Sequence, residues 1–231
     1  MIKLQQNSKR LMALQVAPAG VLSARHELKD YVFNSPSEFF AEIGQRLFLI
    51  AKDVEVSPQE KTLVDLLALD EQGQAVVILL AKGQDPAILA RAISCAGLIA
   101  GWQPADFLSR LNAERMEELH RFLDVAPDAI NREQRAILIS EFFDFEVLAA
   151  SRWLWERNGM DMTCVRIYSC LDAETQAQYI GCVDLSDAVA AAAPAQSTRG
   201  ALLRLAAQHA PQKQSLDAGH AAAGKQEVVL P

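Results

Sequence analysis

Val64-Asp-Leu-Leu-Ala-Leu-Asp-Glu-Gln-Gly-Gln-Ala-Val-Val-Ile-Leu-Leu-Ala-Lys-Gly83 is the stretch whose reading decides the fold. It reads as a β-hairpin. The first strand, Lys61 to Leu69, carries an acidic residue, Asp65. Asp70-Glu71-Gln72-Gly73 forms the turn, where glycine supplies the positive φ that such turns often need. Gln74 to Ala81 is the returning strand. Its unbroken apolar run from Val76 to Ala81 is the pattern of a strand buried on both faces.

Upstream, Phe48 to Val56 begins apolar and then alternates, which adds a third strand and makes a meander. Ser35-Pro36-Ser37-Glu38 is a helix start, with a Ser N-cap, proline in the first turn and an acid where the macrodipole favours it. Phe39, Phe40, Ile43 and Leu47 follow at helical spacing. Residues 1–34 carry no clear period, although Val21 to Tyr31 fits a short strand or helix. Downstream, Asp85-Pro86 opens a helix from Ala87 to Ala100 that Gly101 closes. Pro104 begins a charged amphipathic helical region reaching Leu123. Arg135 to Ser140 is a short buried strand, and Asp144 to Asn158 an amphipathic helix. Met162 to Cys170 and Gln178 to Leu185 make a second hairpin. Strands before a helix, then strand–helix–strand, predict an α/β fold: a mixed central sheet of meander, helix and parallel strand, flanked by helices. This domain spans residues 1–188. Residues 189–231, dominated by Ala, Gln, Pro, Ser, Gly and His, read as a low-complexity, disordered tail.

The chain has 231 residues, about half of them apolar, enough for one sizeable core. A net charge of −7 argues against a strongly basic nucleic-acid binder, while leaving room for a local basic face. No apolar run is long enough to span a bilayer, and the N-terminus lacks a signal-peptide core. The expectation is a cytoplasmic protein with no membrane partner. Cys95, Cys164, Cys170 and Cys182 lack Cys-x-x-Cys spacing, so buried thiols are expected rather than a metal site.

Two segments together resemble the PD-(D/E)XK, or restriction-endonuclease-like, nuclease superfamily. The first comprises Glu38 and Glu42 on the early helix, Val64-Asp65-Leu66-Leu67 on the strand, and Arg91-Ala92-Ile93-Ser94-Cys95-Ala96 on the next helix. The second is Asn131-Arg132-Glu133-Gln134-Arg135 with its apolar strand, Phe143-Asp144, Trp153-Leu154 and Gly159 to Cys164; it is similar to the downstream half of one bacterial branch of that superfamily. The match covers residues 37–185. It implies the restriction-endonuclease-like core and, in an active member, phosphodiester hydrolysis.

That chemistry needs divalent metal held by carboxylates, with a lysine to position water or stabilise charge. On the returning strand the family carries Glu-x-Lys, whose i, i+2 spacing delivers both groups to one face. Here those positions are Leu79 and Ala81. Arg91 and Cys95 replace the Gln and Tyr of the following helix. The resemblance therefore implies a degenerate, non-catalytic member, a pseudoenzyme, with no cofactor expected. Asp65 remains as a vestigial ligand, or as an ordinary hydrogen-bonded strand residue. An alternative keeps activity: Glu38 and Glu42 face Asp65 across a cleft and hold Mg²⁺, with Lys82 or Lys61 as a displaced lysine.

Arginines gather modestly, with Arg91, Arg132 and Arg135 the candidates for nucleic-acid contact. Acids interleave with most of them. Glu117-x-x-His120 has the helical di-iron spacing but no second motif, so it reads as a solvated face. Trp153 and Trp155 lie two apart on a helix and cannot share a face; one is expected in the core and packing is favoured over base stacking. The expected function is an accessory module binding nucleic acid or a protein partner. An active nuclease, and a pure interaction or homodimerisation module, are the alternatives.

Overall fold

The computed structural model describes residues 2–5, 10–13, 15–16, 25–57, 62–81, 83–172, 175 and 177–185. Lys61, Lys82 and the expected tail at 189–231 lie outside the described residues. In chain order the elements are β1 (Ile2–Gln5), β2 (Arg10–Ala13), β3 (Gln15–Val16), α1 (Arg25–Asn34), α2 (Pro36–Glu42), β4 (Leu47–Ser57), β5 (Thr62–Asp70), β6 (Ala75–Leu80), α3 (Ile88–Ile99), α4 (Pro104–Leu108), α5 (Ala113–Phe122), β7 (Gln134–Ser140), α6 (Phe145–Asn158), β8 (Met162–Leu171) and β9 (Gln178–Asp184).

The main sheet runs β9-β8-β7-β6-β5-β4, with β3 pairing the far end of β8. β4, β5 and β6 form the antiparallel meander. β7 is parallel to β6, and β8 parallel to β7. β9 returns antiparallel along β8. This is the mixed sheet flanked by helices that the sequence predicts. β1 and β2 pair with each other in a separate two-stranded sheet.

Burial follows the pairing. All six residues of β6 are buried, as a central strand with helices on both faces requires. On one face Leu67, Val77, Leu79 and Leu138 pack against Ile88, Ala92, Cys95 and Ile99 of α3 and against Val147 of α6. On the other, Leu66, Ile78, Leu80 and Ile137 pack against Leu28 and Val32 of α1 and Phe40 of α2.

Two helix boundaries differ from expectation. The region expected as one helix from residue 105 to 123 is two, α4 and α5. Asn112 breaks it, because its side chain accepts the Arg115 N–H at 2.8 Å and starts a new helix. Leu47, expected on the early helix, begins β4; α2 has already ended, and Gly44 turns the chain at φ +68°.

Asn131 ties the end of α3 to the β5–β6 turn. Its backbone sits at φ +69°, a region asparagine tolerates better than most residues. Its amide Nδ2 donates to the carbonyls of Ile99 at 2.8 Å and Trp102 at 2.9 Å, at the end of α3 where intrahelical donors run out; Ile99 O also accepts the Trp102 N–H. Its own N–H donates to Gly73 O at 2.7 Å. Replacing Asn131 by alanine removes both amide hydrogen bonds and strains the backbone, so a loss of about 2–4 kcal/mol is expected in urea unfolding. Asn131→Gly relieves the strain alone and falls between alanine and wild type.

Candidate functional site

The site expected from sequence lies where β5 and β6 part. Their last paired residues are Leu66 and Ile78. Two residues on, the Leu80 N–H has no strand carbonyl from β5, and Asp65 Oδ2 accepts it at 2.9 Å. Asp65 is buried, 3% exposed. Its carboxylate thus completes the ladder, because an unpaired buried N–H is costly. On the other side of β6, Ala81 N–H donates to Ile139 O of β7 at 2.8 Å.

α3 covers this end. Burial pushes the Cys95 thiol up first; the Arg91 charge draws it down and the Asp65 charge raises it further. Cys95 therefore lies close enough to feel the charges of both Arg91 and Asp65. Arg91 Nη1 pairs with Asp85 Oδ2 at 3.1 Å, while Asp85 Oδ1 accepts the Ala87 N–H at 3.1 Å at the helix start. Arg91 Nη2 is buried and makes no hydrogen bond among the described residues.

Leu79 and Ala81 point into this same α3-side layer; Leu79 is wholly buried there and Ala81 packs against it. Leu80 faces the opposite layer. Lys82, the displaced lysine of the alternative reading, lies outside the described residues.

The convergence of three carboxylates does not occur. Glu38 and Glu42 are exposed on α2, which packs on the far face of the sheet through Phe40 and Ile43. With Tyr31, Ile180 and Cys182 they line a shallow groove of about 270 Å³ there. Burial, then the Glu42 charge, pushes the Cys182 thiol up to about 12. The early helix shares a sheet face with Leu80 rather than with Leu79, and that topology separates the acids. Among the described residues no three His, Cys, Asp or Glu side chains could hold a metal together. Mg²⁺ favours several oxygen ligands. The donors described here, one carboxylate already holding a backbone N–H beside two hydrocarbon side chains, do not fit it.

The three arginines also part company. Arg91 sits at the Leu80 end of β6. Arg132 and Arg135 sit at the other end, beside Gln74. Arg135 is consumed by the fold. Nη2 donates to Gln45 Oε1 at 2.6 Å, Nη1 lies 3.6 Å from Asp70 Oδ2, and Nε lies 3.2 Å from Asp161 Oδ2 without hydrogen-bond alignment. Asp70 Oδ1 in turn accepts the Gln72 and Gln74 N–H groups, shaping the hairpin turn. Arg132 is exposed and has no ion pair or hydrogen bond among the described residues.

The sequence places α6 but not its buried face. Trp153 and Trp155 are both exposed, at 57% and 56%, so neither is core. Val147 and Ser151 supply the buried face instead. The Trp-x-Trp spacing forbade a shared face, but nothing in it showed that a serine would take the inner position. That serine bonds back to Val147 O at 2.8 Å and lies 3.4 Å from Cys164 Sγ.

No family model and no curated protein matches this chain. Two solved structures do. A repair endonuclease from Pyrococcus abyssi is 14% identical, covers 60% of this chain and 45% of its own, and has a TM-score of 0.36. The EndoMS–dsDNA2 complex is 14% identical, covers 67% and 46%, and has a TM-score of 0.38. The chain spans less than half the length of either. Among the described residues no helix is long and apolar enough to cross a membrane.

Two measurements probe this site. Asp65→Ala should cost about 1–3 kcal/mol of stability, and Asp65→Asn, which keeps an acceptor, less, in chemical denaturation. Burial, partly offset by the Ser151 hydrogen bond, pushes Cys164 from 9.0 up to about 11. The folded state then holds a proton that the unfolded state has released, so stability is lost as pH rises from 9 towards 11. Denaturation midpoints across that window should fall less steeply in Cys164→Ala than in wild type.

Proposed function

We propose that this protein is a restriction-endonuclease-like domain that has lost metal-dependent cleavage and serves as a non-cutting nucleic-acid-associated module. The observation that carries the reading is Leu79. It occupies the core where a metal-binding carboxylate of the related enzymes would stand, and it is wholly buried against α3. Its neighbour on that face, Ala81, offers neither ligand nor ammonium. The remaining acid, Asp65, serves the backbone. A carboxylate in place of Leu79 would be desolvated without a partner, so the hydrocarbon is part of the fold rather than a vacancy awaiting chemistry.

The meander, helix and parallel strand supply the scaffold from which the family reading comes. Among the described residues Arg91, Arg135 and Arg152 are ion-paired, so nucleic-acid contact falls to unpaired groups such as Arg132 rather than to a broad basic face. Binding should accordingly be modest and salt-dependent.

The test is a cleavage and gel-shift pair on labelled duplex and single-stranded oligonucleotides, with Mg²⁺ or Mn²⁺ present. Retarded but intact substrate is the expected result. Metal-dependent cutting that disappears in Asp65→Ala would overturn the loss of catalysis, and no shift with any oligonucleotide would overturn the nucleic-acid role. Rebuilding the family pair as Leu79→Glu with Ala81→Lys should destabilise the fold by more than about 3 kcal/mol rather than restore cutting.

A further inference from the structure

The largest concavity among those described lies away from Asp65, at the Gln74 end of β6. It is a groove of about 660 Å³ between α3 and the end of α6, walled by Ile93 and Trp155, with Arg132, Asn158 and Asp161 along it. Trp155 and Asp161 also line an adjoining pocket of about 240 Å³ against Cys164 and Leu185, so the indole stands between the two hollows. More than half of that indole is exposed, on a folded helix, where an aromatic surface of this size costs solubility.

The charges around it are selectively engaged. Glu133 accepts from Gln74 Nε2 at 2.6 Å, and Asp161 is paired with Arg135 at 3.2 Å. Arg152 is paired with Glu156 at 2.6 Å. Arg132 alone of these arginines has no partner among the described residues, and the Asn158 amide makes no hydrogen bond there. The groove therefore presents one aromatic face, one unpaired guanidinium and one unpaired amide, with the Glu133 carboxylate turned to the Gln74 amide.

We propose that this groove binds single-stranded nucleic acid, with an unpaired base stacked on Trp155 and the adjoining phosphate held by Arg132. An indole offers every base a π-face, and a guanidinium beside it supplies the backbone contact; the two together are the recognition chemistry of single strands. A duplex keeps its base faces stacked inside and has nothing to offer Trp155. The Asn158 amide can donate to and accept from a base edge. This inference rests on the nucleic-acid role proposed above, and adds the strand form and the place of contact.

The experiment titrates full-length protein into a labelled oligo(dT) of about 12 nucleotides, within the range that single-strand folds occupy. A duplex of equal length runs in parallel, both at several salt concentrations. Trp155→Ala should weaken single-strand binding about tenfold or more. Arg132→Gln should lower the slope of log K against log salt by about 0.7, the share of one phosphate on a single strand. Trp153→Ala, an equally exposed indole outside the groove, should bind as wild type does. Single-strand binding unchanged in Trp155→Ala, or binding confined to duplex, overturns the groove while the nucleic-acid role stands. Binding to neither form overturns both.

Discussion

The Leu80 N–H and the Asp65 carboxylate that accepts it mark the limit within which this fold is built. β6 is buried along its whole length, so each of its peptide groups must be matched by the neighbouring strands. β7 matches one side through Ala81 and Ile139. β5 leaves before the pairing is complete, and a side chain supplies the missing acceptor. An acid in this position supplies the acceptor that the backbone of β6 needs, while Leu79 and Ala81 belong to the hydrocarbon layer under α3.

The opposite end of the sheet is held differently. There the hairpin turn, the end of α3 and the start of β7 meet on Asn131, Asp70 and Arg135. Asn131 serves two helix-end carbonyls, Asp70 serves two turn amides, and Arg135 sits between Asp70 and Asp161. Burial is the larger influence on Asp161 and raises its pKa, while Arg135 opposes it. The Asn-x-x-Gln-Arg pattern that draws the eye as a signature of function is thus accounted for by three-dimensional joinery. Gln134 completes it by donating to Asn131 O at 3.0 Å. Among the described residues Arg132 is the arginine of this motif that has no partner.

Much of the architecture was legible in the chain because its signals are local. The apolar run of β6, the Gly73 turn and the Pro-led starts of α2 and α4 all act within a few residues. The site was less legible because it depends on which face each helix covers. Glu38 and Glu42 have the right spacing for α2, but whether α2 lies beside Leu79 or Leu80 is decided by packing of Phe40 and Ile43, which no spacing reveals. Trp153 and Trp155 failed as core candidates for a related reason. Size and hydrophobicity favour burial on average, yet the inner face of α6 needed small groups at Ser151, where Cys164 of β8 approaches.

Exchanging a buried acid and amine for leucine and alanine has a physical direction. Buried charges cost several kcal/mol each unless matched, and hydrocarbon of similar volume is often neutral or stabilising in their place, by about 1–4 kcal/mol. Under the proposed loss of cleavage, the sheet would gain by filling that face, and the gain would resist reversal because the surrounding layer repacks on it. Surface far from the filled cleft has no such pull. An exposed indole beside an unpaired arginine offers the β6 core nothing, and its retention is a matter for whatever meets it from solvent. In a chain with net charge −7, that combination of π-face and single cation also suits weak, local recognition better than broad electrostatic capture.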